Sequence, residues 1–198
     1  MLYLLPTGSS MDDLSEHFGV LTSPARYGTA IGIKEGRPWG MDNSVLTKGF
    51  DRDKFFSHLG KCEPCFSSCL FIVCPDVVGD ADGTLALWEK WSPEFKAVGV
   101  PVAFVLQDGV TTIPDDADWL FIGGSTEFKL GPRAREITTS DGRPVHMGRV
   151  NTLGRIRYAK SIGCESVDGT CIAYGRTINL WRLIRWMQEV HEPWLVSA

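Results

Sequence analysis

The sequence predicts an α/β fold: a minimal (β/α)8 barrel, TIM-like, in a single domain over residues 1–198, with some helices short or missing. Three observations lead there. Short apolar, β-rich runs end in polar or glycine clusters and alternate with stretches of helical periodicity. The runs are continuously apolar, as in parallel strands covered on both faces, and not alternating. There are eight of them, which favours a closed barrel over an open flavodoxin-like sheet. Such barrels usually run to about 250 residues, so a chain of 198 must economise on its helices.

The first run, 2–5, is Leu-Tyr-Leu-Leu and stops at Pro6, with a helical stretch at 11–21 after it. Strands follow at 29–33 and 39–42, then a helix at 51–60 opened by Asp51. The run at 70–75, Leu-Phe-Ile-Val-Cys-Pro, precedes a helix at 82–98 that Asp80 or Asp82 starts. Strands at 102–107 and 119–122 lead to a helix at 126–136. Strands at 145–150 and 165–168 are separated by a helix at 152–162. The last helix, 178–190, carries Leu180, Leu183, Ile184 and Met187 at helical spacing. Only one glycine follows the first strand, in Pro6-Thr-Gly-Ser-Ser10, so dinucleotide and P-loop readings are weak.

A composition of 43% apolar and 22% charged residues excludes disordered and fibrous classes. No apolar run approaches the roughly 18 residues of a membrane helix. The N-terminal Met1-Leu-Tyr-Leu-Leu-Pro6 lacks the features of a secretory signal, so a cytoplasmic location is expected. With 20 Lys and Arg against 24 Asp and Glu, the formal charge of -4 gives no overall drive toward nucleic acid. Any such contact falls to the local concentration of Arg149, Arg155, Arg157 and Lys160, with Arg176, Arg182 and Arg185 further on. Solvated helix surface is the competing reading of that patch.

Polar groups crowd the strand ends, where a parallel barrel carries its chemistry. They are Asp42 and Asn43, Asp76, Gln107 and Asp108, Gly123 and Gly124, Arg149 and Asn151, and Asp168. One such aspartate is often a helix cap. Several facing one mouth allow one carboxylate to attack an electrophilic carbon while another manages protons. A third can hydrogen-bond the edge of a heterocyclic base.

The ordered motifs Met41-Asp-Asn-Ser44, Pro75-Asp-Val-Val-Gly79, Val105-Leu-Gln-Asp-Gly109, Phe121-Ile-Gly-Gly124, His146-Met-Gly-Arg-Val150 and Cys164-Glu-Ser-Val-Asp-Gly-Thr170 resemble the tRNA-guanine transglycosylase superfamily. The resemblance spans residues 39–176. It is nearest to the short transglycosylase-like proteins, many from phages, associated with 7-deazaguanine in DNA. It implies exchange of guanine for a 7-deazaguanine through a covalent glycosyl-aspartate. It also implies Asp168 as nucleophile, Asp42 as general acid/base, and Asp76, Asn43, Gln107, Gly123 and Gly124 around the base. Arg149, Arg155 and Arg176 would contact the nucleic acid.

The implied partners are DNA, or another guanine-containing nucleic acid or nucleoside, and a 7-deazaguanine base. A partner protein that supplies nucleic-acid binding is a further expectation. No membrane, metal or cofactor is called for. The chain has no counterpart of the superfamily's Cys-x-Cys-x-x-Cys plus His zinc site, which shifts the expected substrate from tRNA toward DNA or a nucleoside. Two other readings use the same residues: a base-releasing glycosylase or nucleosidase, and a non-catalytic binder of a deazaguanine or nucleotide.

Other signals are weighed on their chemistry. Cys62, Cys65 and Cys69, with Cys74, could hold zinc or an iron–sulfur cluster. Cys74, however, sits in an apolar strand where a buried thiol is ordinary. The Gly79–Gly83 segment fails as a calcium loop because its first ligand position is Val78. Asp115, Asp116 and Asp118 read as a solvated turn. His146 reads either as a packed strand residue or as an aid to catalysis.

Overall fold

The structure, a computed structural model, describes residues 1–8, 14–25, 31–45, 49–173 and 175–192. Eight parallel strands close on themselves in sequence order. They are β1 (Leu2–Pro6), β2 (Phe18–Thr22), β3 (Trp39–Met41), β4 (Cys69–Val73), β5 (Val102–Leu106), β6 (Trp119–Ile122), β7 (Val145–Met147) and β8 (Ser166–Asp168). The seam is the β1–β8 pairing, with Leu2 opposite Ser166 and Leu4 opposite Asp168.

Around the sheet lie α1 (Ile31–Lys34), α2 (Arg52–Gly60), α3 (Ala81–Lys96), α4 (Thr126–Leu130), α5 (Pro132–Ser140), α6 (Leu153–Ser161) and α7 (Arg176–His191). Short 3-10 turns occupy Glu63–Ser68 and Cys171–Ala173. Several helices begin at the caps the sequence suggests. Asp51 accepts from the Lys54 N–H, Asp80 from Gly83, and Thr152 from Arg155. No helix joins β5 to β6, which is where the short chain economises.

The structure corrects the sequence reading at its N-terminal end and in one helix. The second strand is Phe18–Thr22, overlapping the end of the window read as a helix at 11–21; within 29–33, the expected strand, α1 begins at Ile31. Residues 9–13 and 26–30 lie outside the described residues. A five-residue apolar run carries too few periods to separate strand from helix. The single helix expected at 126–136 is two, broken where Gly131 ends α4 and Pro132, which has no N–H to donate, opens α5.

Alternation along the strands sorts the core into two layers. Tyr3, Leu5, Ile72, Cys74, Phe104 and Leu106 point outward and pack with helix residues such as Trp88, Phe95, Ile156 and Leu183. Leu4, Phe71, Val73, Ala103, Val105 and Phe121 fill the barrel interior. Two phenylalanines fit inside because neighbouring strands present glycine there. A Cβ on Gly40 would sit 2.8 Å from the Phe71 ring, and one on Gly148 2.9 Å from Phe121.

Among the described residues no helix is long and apolar enough to cross a membrane. All six cysteines are free, and no group of three metal-ligating side chains forms among the described residues.

Gly40→Ala will lower unfolding free energy by about 1–3 kcal/mol in urea titration, because the ring it meets is fully buried against Trp119. Gly60→Ala, at the exposed end of α2 with no heavy atom within 4 Å, will change it by no more than about 1 kcal/mol and in the stabilising direction.

Candidate active site

The strand ends of β3 to β8 surround a cavity of about 400 Å³ at the C-terminal mouth. It is lined by all seven residues expected to do chemistry or hold a base: Asp42, Asn43, Asp76, Gln107, Gly123, Gly124 and Asp168. Its floor is the top of the interior core, Val73, Val105 and Phe121. Arg149, Asn151 and Thr170 complete the wall on the β7–β8 side.

Asp76 is clamped by two amides. Asn43 Nδ2 donates to its Oδ1 at 2.7 Å, and Gln107 Nε2 donates to its Oδ2 at 2.6 Å. Each amide is itself oriented by backbone. Asn43 Nδ2 also donates to the Cys74 carbonyl (2.9 Å), while its Oδ1 accepts from Val45 N–H (2.9 Å). Gln107 Oε1 accepts from Gly79 N–H at 2.9 Å. Burial pushes the Asp76 carboxyl up from its ordinary range, against the pull of the two amides. The result is a carboxylate of fixed plane, suited to the donor edge of a flat ring.

Asp168 has a different setting. His146 Nε2 lies 3.2 Å from its Oδ1, and the Arg149 backbone N–H donates to the same oxygen at 3.1 Å. Oδ2 receives no hydrogen bond among the described residues. His146 is fully buried between the rings of Phe71 and Phe121, and burial lowers its pKa, so it is neutral. Nε2 then carries the proton toward the carboxylate, while Nδ1 accepts from the Ser166 hydroxyl at 2.8 Å. One oxygen of Asp168 is held and the other is left for chemistry.

Asp42 is the third carboxylate. The Ser44 N–H donates to its Oδ1 at 2.6 Å. Burial, then the like charges of Asp168 and Asp76, raise its pKa to about 6. A carboxyl that holds its proton to about pH 6 can both donate and accept near neutrality. Strained backbone flanks the site. Ser44 (φ 65°) and Arg149 (φ 61°) are the non-glycine residues with left-handed backbone among the described residues, and each adjoins a pocket aspartate in sequence or space.

Not every expected residue lines the cavity. Arg149 does, and its guanidinium donates to the Gly124 carbonyl. Arg155 lies behind it and donates to the Arg149 carbonyl at 3.3 Å. Arg176 opens α7, and its side chain lies outside the described residues. Asp108 holds the N-cap residue of α4, accepting from the Ser125 N–H and hydroxyl at 2.7 and 2.5 Å. Asn151 orders the turn after β8 through the N–H groups of Thr170 and Cys171. Asp116 lies in an exposed turn, as expected, where it accepts from Trp88 Nε1 at 3.0 Å and pairs with Lys96.

Sequence reasoning missed Lys129, a buried lysine of α4 that lines the cavity. Its Nζ donates to the carbonyls of Ile122 (2.9 Å) and Gly148 (3.0 Å). Burial, and then the neighbouring Arg149, lower its pKa to about 8. Nothing in its local sequence sets it apart from a surface lysine.

No family model and no curated protein matches the chain. Solved structures do. The 3-hexulose-6-phosphate synthase from Salmonella typhimurium superposes with a TM-score of 0.52 at 13% identity, covering 96% of this chain and 100% of that one. The likeness is one of fold. The Bacillus subtilis YkuI protein with an EAL domain, in complex with c-di-GMP and calcium, matches at a TM-score of 0.40 and 14% identity, over 93% of this chain and 47% of that one. Barrels of this kind host many unrelated chemistries, so function has to be argued from the site residues.

Asp42→Asn keeps an acceptor for Ser44 N–H and removes the buried charge. Because the folded pKa lies above the unfolded value, the wild type loses stability as pH rises through about 6. Thermal melts will therefore match at pH 4, while at pH 8 the variant melts roughly a few degrees higher. A variant that melts lower at pH 8 contradicts this account of Asp42.

Proposed function

We propose that this protein is an enzyme acting on the N-glycosidic bond of guanine or 7-deazaguanine nucleotides, exchanging guanine for a 7-deazaguanine in DNA through a covalent aspartyl intermediate. This is the chemistry implied by the resemblance to the tRNA-guanine transglycosylase superfamily. The observation that carries it is the convergence of Asp42, Asn43, Asp76, Gln107, Gly123, Gly124 and Asp168, from five different strand ends, on one cavity of base size.

Each residue has a part suited to its setting. Asp76 and Gln107 hold the donor edge of the base, and the Gly123–Gly124 backbone approaches its flat edge. Asp168 Oδ2, the oxygen without a donor, attacks the anomeric carbon. The bond to the base breaks, its electron pair leaves with the base, and the Asp42 carboxyl supplies the proton. His146 and the Arg149 N–H keep Oδ1 in place while the ester forms. The incoming base then gives a proton to the Asp42 carboxylate and attacks the same carbon, and Asp168 is released. Arg149, at the rim with Arg155 behind it, would meet phosphate. A base in a duplex must be flipped out or presented single-stranded to reach this depth.

The test is to incubate wild-type and Asp168→Ala protein with guanine-containing DNA oligonucleotides, single- and double-stranded, plus 7-cyano-7-deazaguanine, and to analyse the digested nucleosides by mass spectrometry. Base exchange by the wild type alone is expected. Its kcat/KM should fall as pH rises through about 6, where Asp42 loses its proton, and Asp42→Asn should lower it by roughly 100-fold or more. Free guanine with an abasic site would mark a glycosylase instead. Equal binding of the deazaguanine by both proteins without turnover would mark a binder.

A further inference from the structure

Among the described residues, Lys129 is the one buried cation the reaction above leaves without a task. It is 5% exposed and lies on α4 behind the ends of β6 and β7. Two of its three ammonium protons are placed on the carbonyls of Ile122 and Gly148. Those carbonyls orient the charge but do not neutralise it. Among the described residues no carboxylate pairs with it. The charged groups that act on it are Arg149 and Arg155, which repel, and Asp168, Asp108 and Asp76, which attract; Asp76 is itself clamped by Asn43 and Gln107. Asp108 is engaged by Ser125, and Asp168 Oδ1 by His146 and the Arg149 N–H.

A buried ammonium without a counter-ion is costly, and the usual remedy is an anion held against it. Here the open side is the cavity, which Lys129 lines. The anion therefore comes with the ligand, and depth says which part of the ligand bears it. Backbone phosphates stop at the rim, where the exposed Arg149 stands. Around the mouth the order is Asp76 after β4, Gln107 after β5, then Lys129 beyond β6 and β7. A ring whose donor edge rests on Asp76 turns another edge toward Lys129.

We propose that Lys129 is a specificity-determining residue that selects a heterocycle bearing a negatively charged substituent, a carboxylate, on the ring edge facing β6 and β7. The inference rests on the transglycosylase reading of the site and names the class of base it takes. Anion binding restores the lysine's full charge, so between about pH 8 and the ordinary lysine range complex formation takes up a proton.

Calorimetric titration of the full-length protein with 7-carboxy-, 7-cyano- and 7-aminomethyl-7-deazaguanine tests this, with Lys129→Met and Lys129→Gln beside the wild type and far-UV circular dichroism to confirm folding. The glutamine variant keeps a donor for the two carbonyls, so it separates the charge from the strut. The carboxy compound is expected to bind tightest. Both variants should weaken it by about 10- to 100-fold, the range for a hydrogen bond to a charged group, and change the cyano compound by less than about threefold. At pH 8.5, paired buffers of different ionisation enthalpy should reveal proton uptake in the wild type only. Tightest binding of the aminomethyl compound, or equal losses for all three ligands in folded variants, overturns the inference and leaves Lys129 a strut. Failure of all three to bind the folded wild type sinks the transglycosylase reading itself.

Discussion

Everything at the mouth depends on closing a ring of eight short parallel strands, and the seam that joins its two ends is β1 against β8. Leu4 sits opposite Asp168, the Asp168 carbonyl accepts from Val150 N–H at 2.6 Å, and the Tyr3 hydroxyl donates to the Val150 carbonyl at 3.0 Å. The first strand thus braces the turn after β7 against the Asp168 carbonyl. Strands of three to five residues leave little sheet to spare. The interior compensates by packing Phe71 and Phe121 against glycines, which raises the core floor directly beneath the cavity.

On that floor three aspartates share one pocket, and their surroundings assign them different work. Asp76 has both oxygens clamped by amides, which suits recognition. Asp168 has one oxygen held and one open, which suits attack. Asp42 is buried beside two like charges and holds its proton to about pH 6, which suits proton transfer. The neutral His146 takes part only by orientation, through a chain from Ser166 to Asp168 that uses both of its ring nitrogens. Lys129 and Arg149 stand at different depths of the same wall, the lysine buried and the arginine exposed.

The closed barrel of parallel strands was legible in the chain itself. The continuous apolar runs found seven of the eight strands, and the polar residues just beyond them found the mouth. The second strand escapes the sequence reading because most of Phe18–Thr22 falls in the window of helical spacing at 11–21, and pairing with β1 and β3 overrides that local pattern. Lys129 was invisible for another reason. Its burial follows from the Ser125 cap and the Asp108 bonds that pin α4 across the mouth, contacts that join β5 to β6 and leave no local signature. His146 could be singled out but not assigned, since its role exists only through the register that sets it beside Ser166.

In the proposed reaction Asp168 becomes covalently bonded to a sugar. Intact-protein mass spectrometry under denaturing conditions, after incubation with a guanine-containing oligonucleotide, measures this directly, and proteolysis locates the bond. The account predicts an adduct of oligonucleotide minus guanine on the peptide carrying Asp168, absent from Asp168→Asn. An adduct on any other residue, or base exchange with none, would contradict it.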